Sequence, residues 1–188
     1  MARWTMMIAL AALGLGACDK GADASVSAVD ASATAAAADS QLMQALDKTD
    51  GLSATARLVK AAGLDQTFAG VGSYTVFAPT DAAIAALPEA DRTALESPAG
   101  RAQLIALLSS HVSPGYIAQS DLDTALTRAG GSMNLASVGA APIKLHKDGA
   151  AVLLGSGEGA PRIIGKPIVA SNGVIYPIDR VLPTPVAE

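Results

Sequence analysis

Apolar side chains recur at helical spacing in two short segments soon after residue 40. Residues 42–46 place apolar side chains on one face of a first helix, and residues 58–62 do the same for a second. The hydroxyl of Ser53 is predicted to cap the second helix, and Gly63 is predicted to end it in the left-handed conformation. This part of the chain is therefore predicted to be helical.

A β-rich segment interrupts the helical pattern at residues 74–78, and a proline ends it. Thr80 or Asp81 is then predicted to cap a short helix. A longer helix is predicted to begin at Ser97, which is followed by a proline suited to the first helical position, and to end at Pro114.

After Tyr116 the pattern changes to short apolar segments separated by glycine. A tight turn at Asn172–Gly173 predicts a final type I′ hairpin. Helices first and strands afterwards indicate an α+β fold, or a β-sandwich with helices packed at one end. The predicted strands lie near residues 133–138, 143–146, 151–154 and 162–169.

The first 17 residues have the pattern of an export signal. Arg3 precedes an apolar run over residues 4–16, which is too short to span a bilayer. The run ends in the sequence Leu-Gly-Ala followed by Cys18, which resembles the lipobox of bacterial lipoproteins and implies that Cys18 is acylated. A free or buried thiol and ordinary leader cleavage at residues 22–24 are the alternatives; a disulfide within the chain is excluded, because Cys18 is the only cysteine.

Residues 18–39 are rich in Ala and Ser and contain too little large apolar surface to form a core, so they predict a flexible tether after the acylated cysteine. Asp19 favours retention at the periplasmic face of the inner membrane over the outer membrane, by resemblance to lipoproteins of diderm bacteria. The expected organisation is a signal peptide at 1–17, the tether at 18–39 and one folded domain at 40–185.

Composition limits the classes of partner. The formal net charge is −4 and no basic cluster is present, which argues against nucleic acid. Aromatic residues make up only 3% of the chain, so the core must consist mainly of Leu, Ile, Val and Ala. The lipid anchor is then the expected means of membrane attachment.

Three segments together resemble the fasciclin domain family. YTVFAPTDAAI at 74–84 is similar to the first signature of that family, NGVIYPIDRVL at 172–182 to its second, and LLSSHVSPG at 107–115 to the stretch between them. The likeness extends over residues 40–185. It implies a fasciclin-like wedge of short strands, with several helices packed at one end and mostly in the N-terminal half.

Two positions depart from the family pattern. Ser110 stands where a tyrosine usually precedes the central histidine, which puts in doubt the receptor adhesion associated with that region in animal members. Tyr176 replaces a common histidine, and the following Pro177 suggests an edge strand because proline cannot donate to the ladder.

The residues give little support for catalysis. Ser110 and His111 are neighbours, but adjacent helical residues point about 100° apart, so a structural His111 bonded to backbone is favoured. His146 is predicted to lie on the surface. No zinc, EF-hand or phosphate-loop spacing is found, and neither a metal nor a cofactor is expected.

The resemblance implies a membrane-tethered, non-catalytic interaction module that adheres to a cell-surface protein or matrix polysaccharide. The alternative is a periplasmic carrier of a small apolar, carotenoid-like ligand, which the low aromatic content disfavours. If the domain is adhesive, the candidate interaction residues are Thr80, Asp81, His111, Asn172 and Asp179. Each has a structural alternative: a helix cap for the first two, backbone bonding for His111 and Asp179, and a turn for Asn172.

Overall fold

The computed structural model describes residues 40–183, so Cys18, the predicted leader and the predicted tether lie outside the described residues. Helices and short strands are mixed along the chain. The helices are α1 (Leu42–Lys48), α2 (Ser53–Ala62), α3 (Asp65–Phe68), α4 (Asp81–Ala85), α5 (Glu89–Glu96), a 3₁₀ turn (Pro98–Gly100), α6 (Arg101–Ser110) and α7 (Gln119–Arg128). The strands are β1 (Tyr74–Pro79), β2 (Val112–Pro114), β3 (Ser132–Leu135), β4 (Ile143–Asp148), β5 (Ala151–Leu154), β6 (Ile168–Ala170) and β7 (Gly173–Ile178).

The strands form two sheets. The first has the order β2–β1–β7–β6, in which β1 and β7 run parallel and the outer pairs are antiparallel. The second is an antiparallel sheet with the order β3–β4–β5. The two segments that resemble family signatures are therefore neighbours in space, with Val76 opposite Ile175.

The first sheet is buried on both faces, which explains why β1 and β7 are almost continuously apolar. Val76 and Ile175 belong to a core cluster shared with α1, α2 and α6. Phe77 and Tyr176, each one residue further on, belong to a second cluster shared with α7 and the second sheet. Alternation along a strand thus directs successive side chains into two cores, and the first sheet is the middle layer. The mixed helices and strands confirm the predicted α+β class.

Gly63 ends α2 as the sequence predicts. Its φ is 75°, in the left-handed region, and its amide donates to Lys60 O at 3.0 Å. The next amide, that of Leu64, donates to Val59 O at 3.1 Å, so the last turn of the helix is closed by backbone bonds.

The helix predicted from Ser97 to Pro114 is divided and shorter. Ser97 caps the 3₁₀ turn by accepting from Gly100 N at 3.0 Å, and α6 follows only as far as Ser110. Residues from Val112 onward form β2 instead, because they pair with the start of β1. Tertiary pairing overrides the local helical pattern here.

A helix was missed between Tyr116 and the predicted strand at 133–138. α7 buries only two apolar side chains, Leu122 and Leu126, which are four residues apart on one face. The prediction that only strands follow Tyr116 is therefore wrong. The predicted strand at 162–169 is also shorter, since only Ile168–Ala170 form a strand, while Arg162 and Ile163 make isolated bridges.

The final hairpin has a different register from the predicted one. Ala170 pairs with Gly173, so the two-residue turn is Ser171–Asn172 and Gly173 already belongs to β7. Gly173 lies outside the positive-φ region, so it does not form the predicted type I′ turn. Glycine is required there because a Cβ would collide with the carbonyl oxygen of Tyr74 and the side chain of Leu42.

Pro177 does not mark an edge strand, since β7 lies between β1 and β6. The pairing with β6 ends at Ile175, and beyond it the Pro177 carbonyl accepts from Ile164 N at 2.9 Å. Proline is tolerated because the strand pairing on that side has already given way to an irregular segment. Among residues 40–183, no helix has the length and apolar character needed to cross a bilayer.

Candidate functional site

Thr80 and Asp81 follow β1 and turn the chain into α4. The Thr80 hydroxyl accepts a hydrogen bond from Ala83 N at 3.2 Å, and its amide donates to Ile178 O at 3.0 Å. Thr80 is therefore the N-cap of α4, as predicted, and it also fixes the corner to the end of β7.

Asp81 caps a different helix, α2. Its Oδ1 accepts from Ala54 N at 2.7 Å, and its Oδ2 accepts from the Ser53 hydroxyl at 2.8 Å. The predicted Ser53 cap is wrong, because Ser53 is the first helical residue and the N-cap residue, Leu52, makes no side-chain cap bond. A carboxylate from a distant part of the chain takes that role, and its charge suits the positive end of the helix.

The surroundings of Asp81 favour its charged form. The Ala54 amide bond is the largest cause that lowers the pKa of this carboxyl, and the Ser53 hydroxyl and the more distant Arg57 charge lower it further. Partial burial acts in the opposite direction without reversing the shift. Asp81 is thus held as an anion by the fold itself.

Asn172 connects three elements, two through its side-chain amide and one through its backbone carbonyl. Its Oδ1 accepts from Leu42 N at 2.8 Å, at the start of α1. Its Nδ2 donates to Phe68 O at 2.6 Å, at the end of α3, and its backbone carbonyl accepts from Tyr74 N at 3.2 Å. Both polar ends of this amide are therefore used within the domain.

Asp179 fastens the end of β7 to the irregular segment beside it. Its Oδ1 accepts from Arg162 N at 2.7 Å, while its own amide donates to Arg162 O at 3.1 Å. Asp179 is nevertheless exposed.

His111 lies inside the protein, with only 2% of its surface exposed. Its Nε2 accepts from Leu182 N at 2.9 Å, since a backbone amide can only donate. Nδ1 must then carry the proton, which it donates to Leu107 O at 2.7 Å. Burial lowers the pKa of His111 to about 4, although the bond to Leu107 opposes the shift. A partner docking on the folded surface would not reach this imidazole.

The geometry also removes Ser110 and His111 as a nucleophile and base. The Ser110 hydroxyl donates to Leu107 O at 2.6 Å and lies 3.4 Å from Nδ1 of the imidazole. That nitrogen already holds a proton, so it cannot accept one from the hydroxyl. Both side chains donate to the same carbonyl, that of Leu107 in the last turn of α6.

Tyr176 was noted in the sequence only as a departure from the family pattern. Its ring stacks on that of Phe77 with centroids 5.6 Å apart, and its hydroxyl donates to Ile117 O at 2.9 Å. Burial is the main cause that raises the pKa of this phenol, so the hydroxyl stays protonated. Tyr176 is a core residue with a satisfied polar end.

The five candidate residues do not form one site. Thr80 and Asp179 lie at the end of the first sheet where the parallel strands β1 and β7 finish, with Asp81 next to them. Asn172 lies at the opposite end, and His111 lies in the interior. No single patch of described surface contains them all.

Exposed apolar side chains mark a surface that the sequence patterns missed. Val71 is fully exposed, and Tyr116 is 47% exposed. Val71 lies three residues before β1 and Tyr116 two residues after β2, and the two segments are joined where Gly115 N donates to Ser73 O at 2.8 Å. We call Val71 and Tyr116 the apolar end of the first sheet. Val138, 52% exposed, lies at the other end of β2, where its amide donates to Val112 O at 2.8 Å.

The outer face of the second sheet carries a polar depression of about 400 Å³. Its lining includes Ser132 and Asn134 from β3, Lys144 and His146 from β4, and the loop after β5. Within residues 40–183, no group of three or more His, Cys, Asp or Glu side chains is placed to hold a metal ion.

Comparison with known proteins assigns the family. The model of the fasciclin domain matches residues 50–185, which include both signature strands and the buried histidine. The chain belongs to the fasciclin family. Fasciclin domains are generally non-enzymatic interaction modules of the cell-adhesion type, and the buried and satisfied Ser110 and His111 agree with that character.

Two known proteins are similar to this fasciclin domain. Protein sll1483 from Synechocystis sp. is 34% identical over 129 residues, which cover 68% of this chain and 64% of that protein. The structure of a FAS1 domain pair from the insect cell adhesion molecule Fasciclin I matches with a TM-score of 0.58 at 16% identity. That match covers 78% of this chain and 51% of the insect chain, and it shows a shared fold.

Proposed function

We propose that this fasciclin domain is a membrane-tethered adhesion module that binds cell-surface or matrix components without catalysis. The observation that carries the proposal is the apolar end of the first sheet, where Val71 and Tyr116 are exposed on a fold whose other large apolar side chains are mostly buried. Exposed apolar side chains that are grouped mark interaction surfaces more often than single ones do.

The rest of the domain supports binding rather than chemistry. The buried imidazole of His111 has both nitrogens occupied, and Asn172 uses both ends of its amide within the fold. Such contacts make a rigid platform. A rigid platform loses little conformational entropy on binding, which favours affinity for a partner.

Membrane attachment is part of the proposal through Cys18, at the end of the lipobox-like sequence. Acylation there would hold the domain at the periplasmic face of the inner membrane. Two acyl chains are enough for stable anchoring, because each buried methylene contributes about 0.8 kcal/mol.

A carrier of a small apolar ligand is less well supported. Such ligands bind in pockets lined mainly by apolar side chains. The depression on the second sheet is lined by lysine, histidine and hydroxyl groups, and a second depression of about 330 Å³ includes Glu96 and Arg101. Both linings also include apolar side chains, but the charged groups among them disfavour a carotenoid-like ligand.

The test replaces both exposed apolar side chains, in the variant Val71→Ser with Tyr116→Ser, and measures attachment of cells that depend on the protein. We expect attachment to fall to the level of cells lacking the gene, with the thermal unfolding midpoint unchanged. Val138→Ser is the control, since it removes an exposed valine outside the apolar end of the first sheet and should leave attachment intact. Equal attachment by the double variant and wild type would exclude the apolar end as the contact surface.

A further inference from the structure

We infer that the polar depression on the outer face of the second sheet binds carboxylated sugar units of an acidic polysaccharide. The inference rests on the proposed adhesive function, because it names a chemical class of matrix component. It concerns a different face from the apolar end of the first sheet. The argument uses the pairing of the strands, the groups that line the depression and their charge.

Strand pairing brings the polar groups into one plane. His146 lies opposite Ser132 on one side and Leu153 on the other, and Lys144 lies opposite Asn134. Ile143 and Leu145, which alternate with these β4 residues, are buried in the second core cluster. The side chains of Lys144 and His146 therefore point away from the core, on the same face of the sheet.

The loop after β5 closes the third side of the depression. Gly155 N donates to Lys144 O at 2.7 Å, which holds the loop against β4, and Ser156 and Gly157 complete the lining. Gly155 and Gly157 have φ values of 86° and 100°, a conformation that residues with a side chain rarely adopt. The loop thus brings a hydroxyl and backbone groups to the rim without a bulky side chain blocking the entrance.

Charge identifies the ligand class. The lining residues include two lysines, one histidine, two serines and an asparagine beside two apolar side chains, and none of them carries a carboxylate. Asp148, at the end of β4, and Glu158, after the loop, lie outside the lining. On a chain whose formal net charge is −4, a cation-bearing depression free of acidic side chains favours an anionic ligand.

Lys144 is the cation available for this purpose. Its side chain is exposed, whereas the neighbouring Lys147 is directed to α7, where its Nζ lies 3.3 Å from the Thr127 hydroxyl and 3.7 Å from Asp123. An ammonium can pair with the carboxylate of a sugar unit, and nearby hydroxyl and amide groups can form hydrogen bonds with the hydroxyls of the same sugar. The lining offers both kinds of group. A phosphate polymer is expected to bind through several clustered cations, and Lys144 is the one lysine of this lining whose ammonium is not directed to α7.

Affinity for a single sugar unit is expected to be weak. One exposed ion pair with a few solvent-accessible hydrogen bonds gives a dissociation constant on the order of a millimolar. A polymer that offers many equivalent units, to many domains anchored on one membrane, would bind more tightly through avidity. Such a site suits adhesion to a matrix.

The test measures retention of the purified full-length chain on polygalacturonate, and on the same polymer with its carboxyls methyl-esterified. We expect retention on the first polymer only, with loss of retention at about 0.5 M salt because the charges are exposed to screening. Lys144→Gln should weaken binding by about two- to fivefold, the factor that one exposed ion pair contributes. Adding His146→Gln should weaken it further. Lys48→Gln, an equal change of charge at an exposed residue of α1, should have no effect.

Three results would overturn this inference. They are equal binding to the esterified polymer, equal weakening by Lys48→Gln and Lys144→Gln, and binding to dextran sulfate as tight as to polygalacturonate, which would indicate general attraction to polyanions. The proposed adhesive function is separable from this site. If cells lose attachment with the Val71 and Tyr116 variant but attach normally with Lys144→Gln, the adhesive function is retained and the polysaccharide site is rejected.

Discussion

The Asp81 carboxylate accepts a hydrogen bond from the Ala54 amide at 2.7 Å, and so caps a helix that lies 27 residues earlier in the chain. The same residue opens α4, so one side chain fixes the angle between two helices at the end of β1. Asp81 therefore has a structural role in the first family signature, because it links the end of β1 to the N-termini of α2 and α4.

Asp81→Ala should lower the free energy of unfolding by about 1–2 kcal/mol, because the N-terminus of α2 loses its cap. Urea unfolding at neutral pH measures this change. Asp47→Ala is the matched control, since Asp47 pairs only with the exposed Lys60 and should contribute about 0.2–1 kcal/mol. A loss for Asp81→Ala no larger than that of the control would show that the cap is not stabilising.

The Asp81 variant should also alter stability in acid. The folded state lowers the pKa of this carboxyl, so its contribution is complete above the unfolded-state pKa and is lost as pH falls through the folded value. Wild type should therefore lose more stability than Asp81→Ala on acidification below about pH 4. Parallel acid profiles for the two proteins would contradict this assignment.

His111 should make the stability of the domain depend on pH at higher pH values than Asp81 does. Its pKa falls from 6.5 in the unfolded chain to about 4 in the folded one, so the contribution of the neutral imidazole is complete above pH 6.5 and decreases as pH falls towards 4. The full shift corresponds to about 3 kcal/mol. Urea titrations across this range should show the slope in wild type and in His146→Gln, and not in His111→Gln. Persistence of the slope in His111→Gln would assign it to other groups.

Gly173→Ala should destabilise the domain by about 1–3 kcal/mol, the usual effect of forcing an extra methyl into a packed site. The added Cβ would meet the carbonyl of Tyr74 and the side chain of Leu42, between β1 and α1. Ser171→Ala, in the exposed turn just before, is the control and should change stability by less than about 0.5 kcal/mol. Similar thermal midpoints for the two variants would mean that the strands separate easily at this point.

Asn172→Ala should cost about 2–3 kcal/mol, since it leaves the Leu42 amide and the Phe68 carbonyl without their side-chain partner. Hydrogen exchange of the α1 amides should quicken more than exchange in α7, which Asn172 does not contact. Uniform acceleration across the domain would indicate global loss of stability instead of release of α1.

Local signals predicted the parts of the fold whose partners are near in sequence. The β1 strand, the Thr80 cap and the left-handed Gly63 all depend on residues within a few positions, and all three are present. The Asp81 cap and the close approach at Gly173 could not be predicted in this way. Their partners lie in other elements, and only the folded chain brings them together.

Weak amphipathicity explains why α7 was not predicted, and the roles of the candidate site residues could not be decided from the sequence. α7 buries Leu122 and Leu126 alone, so its apolar stripe is too sparse to be recognised. The sequence left each candidate residue with both an interaction role and a structural alternative, and the contacts of Asn172 and Asp179 match the structural one. The exposure of Val71 and Tyr116 could not be predicted from the sequence, because it depends on how the rest of the chain packs around them.

The most direct test of tethered adhesion compares attachment and fractionation of cells lacking the gene, complemented with wild type or with Cys18→Ser. We predict that the deletion reduces attachment, that wild type restores it from the membrane fraction, and that Cys18→Ser protein is folded, soluble and unable to restore it. Attachment unchanged by the deletion, or Cys18→Ser protein that remains with membranes in high salt and restores attachment, would contradict the account.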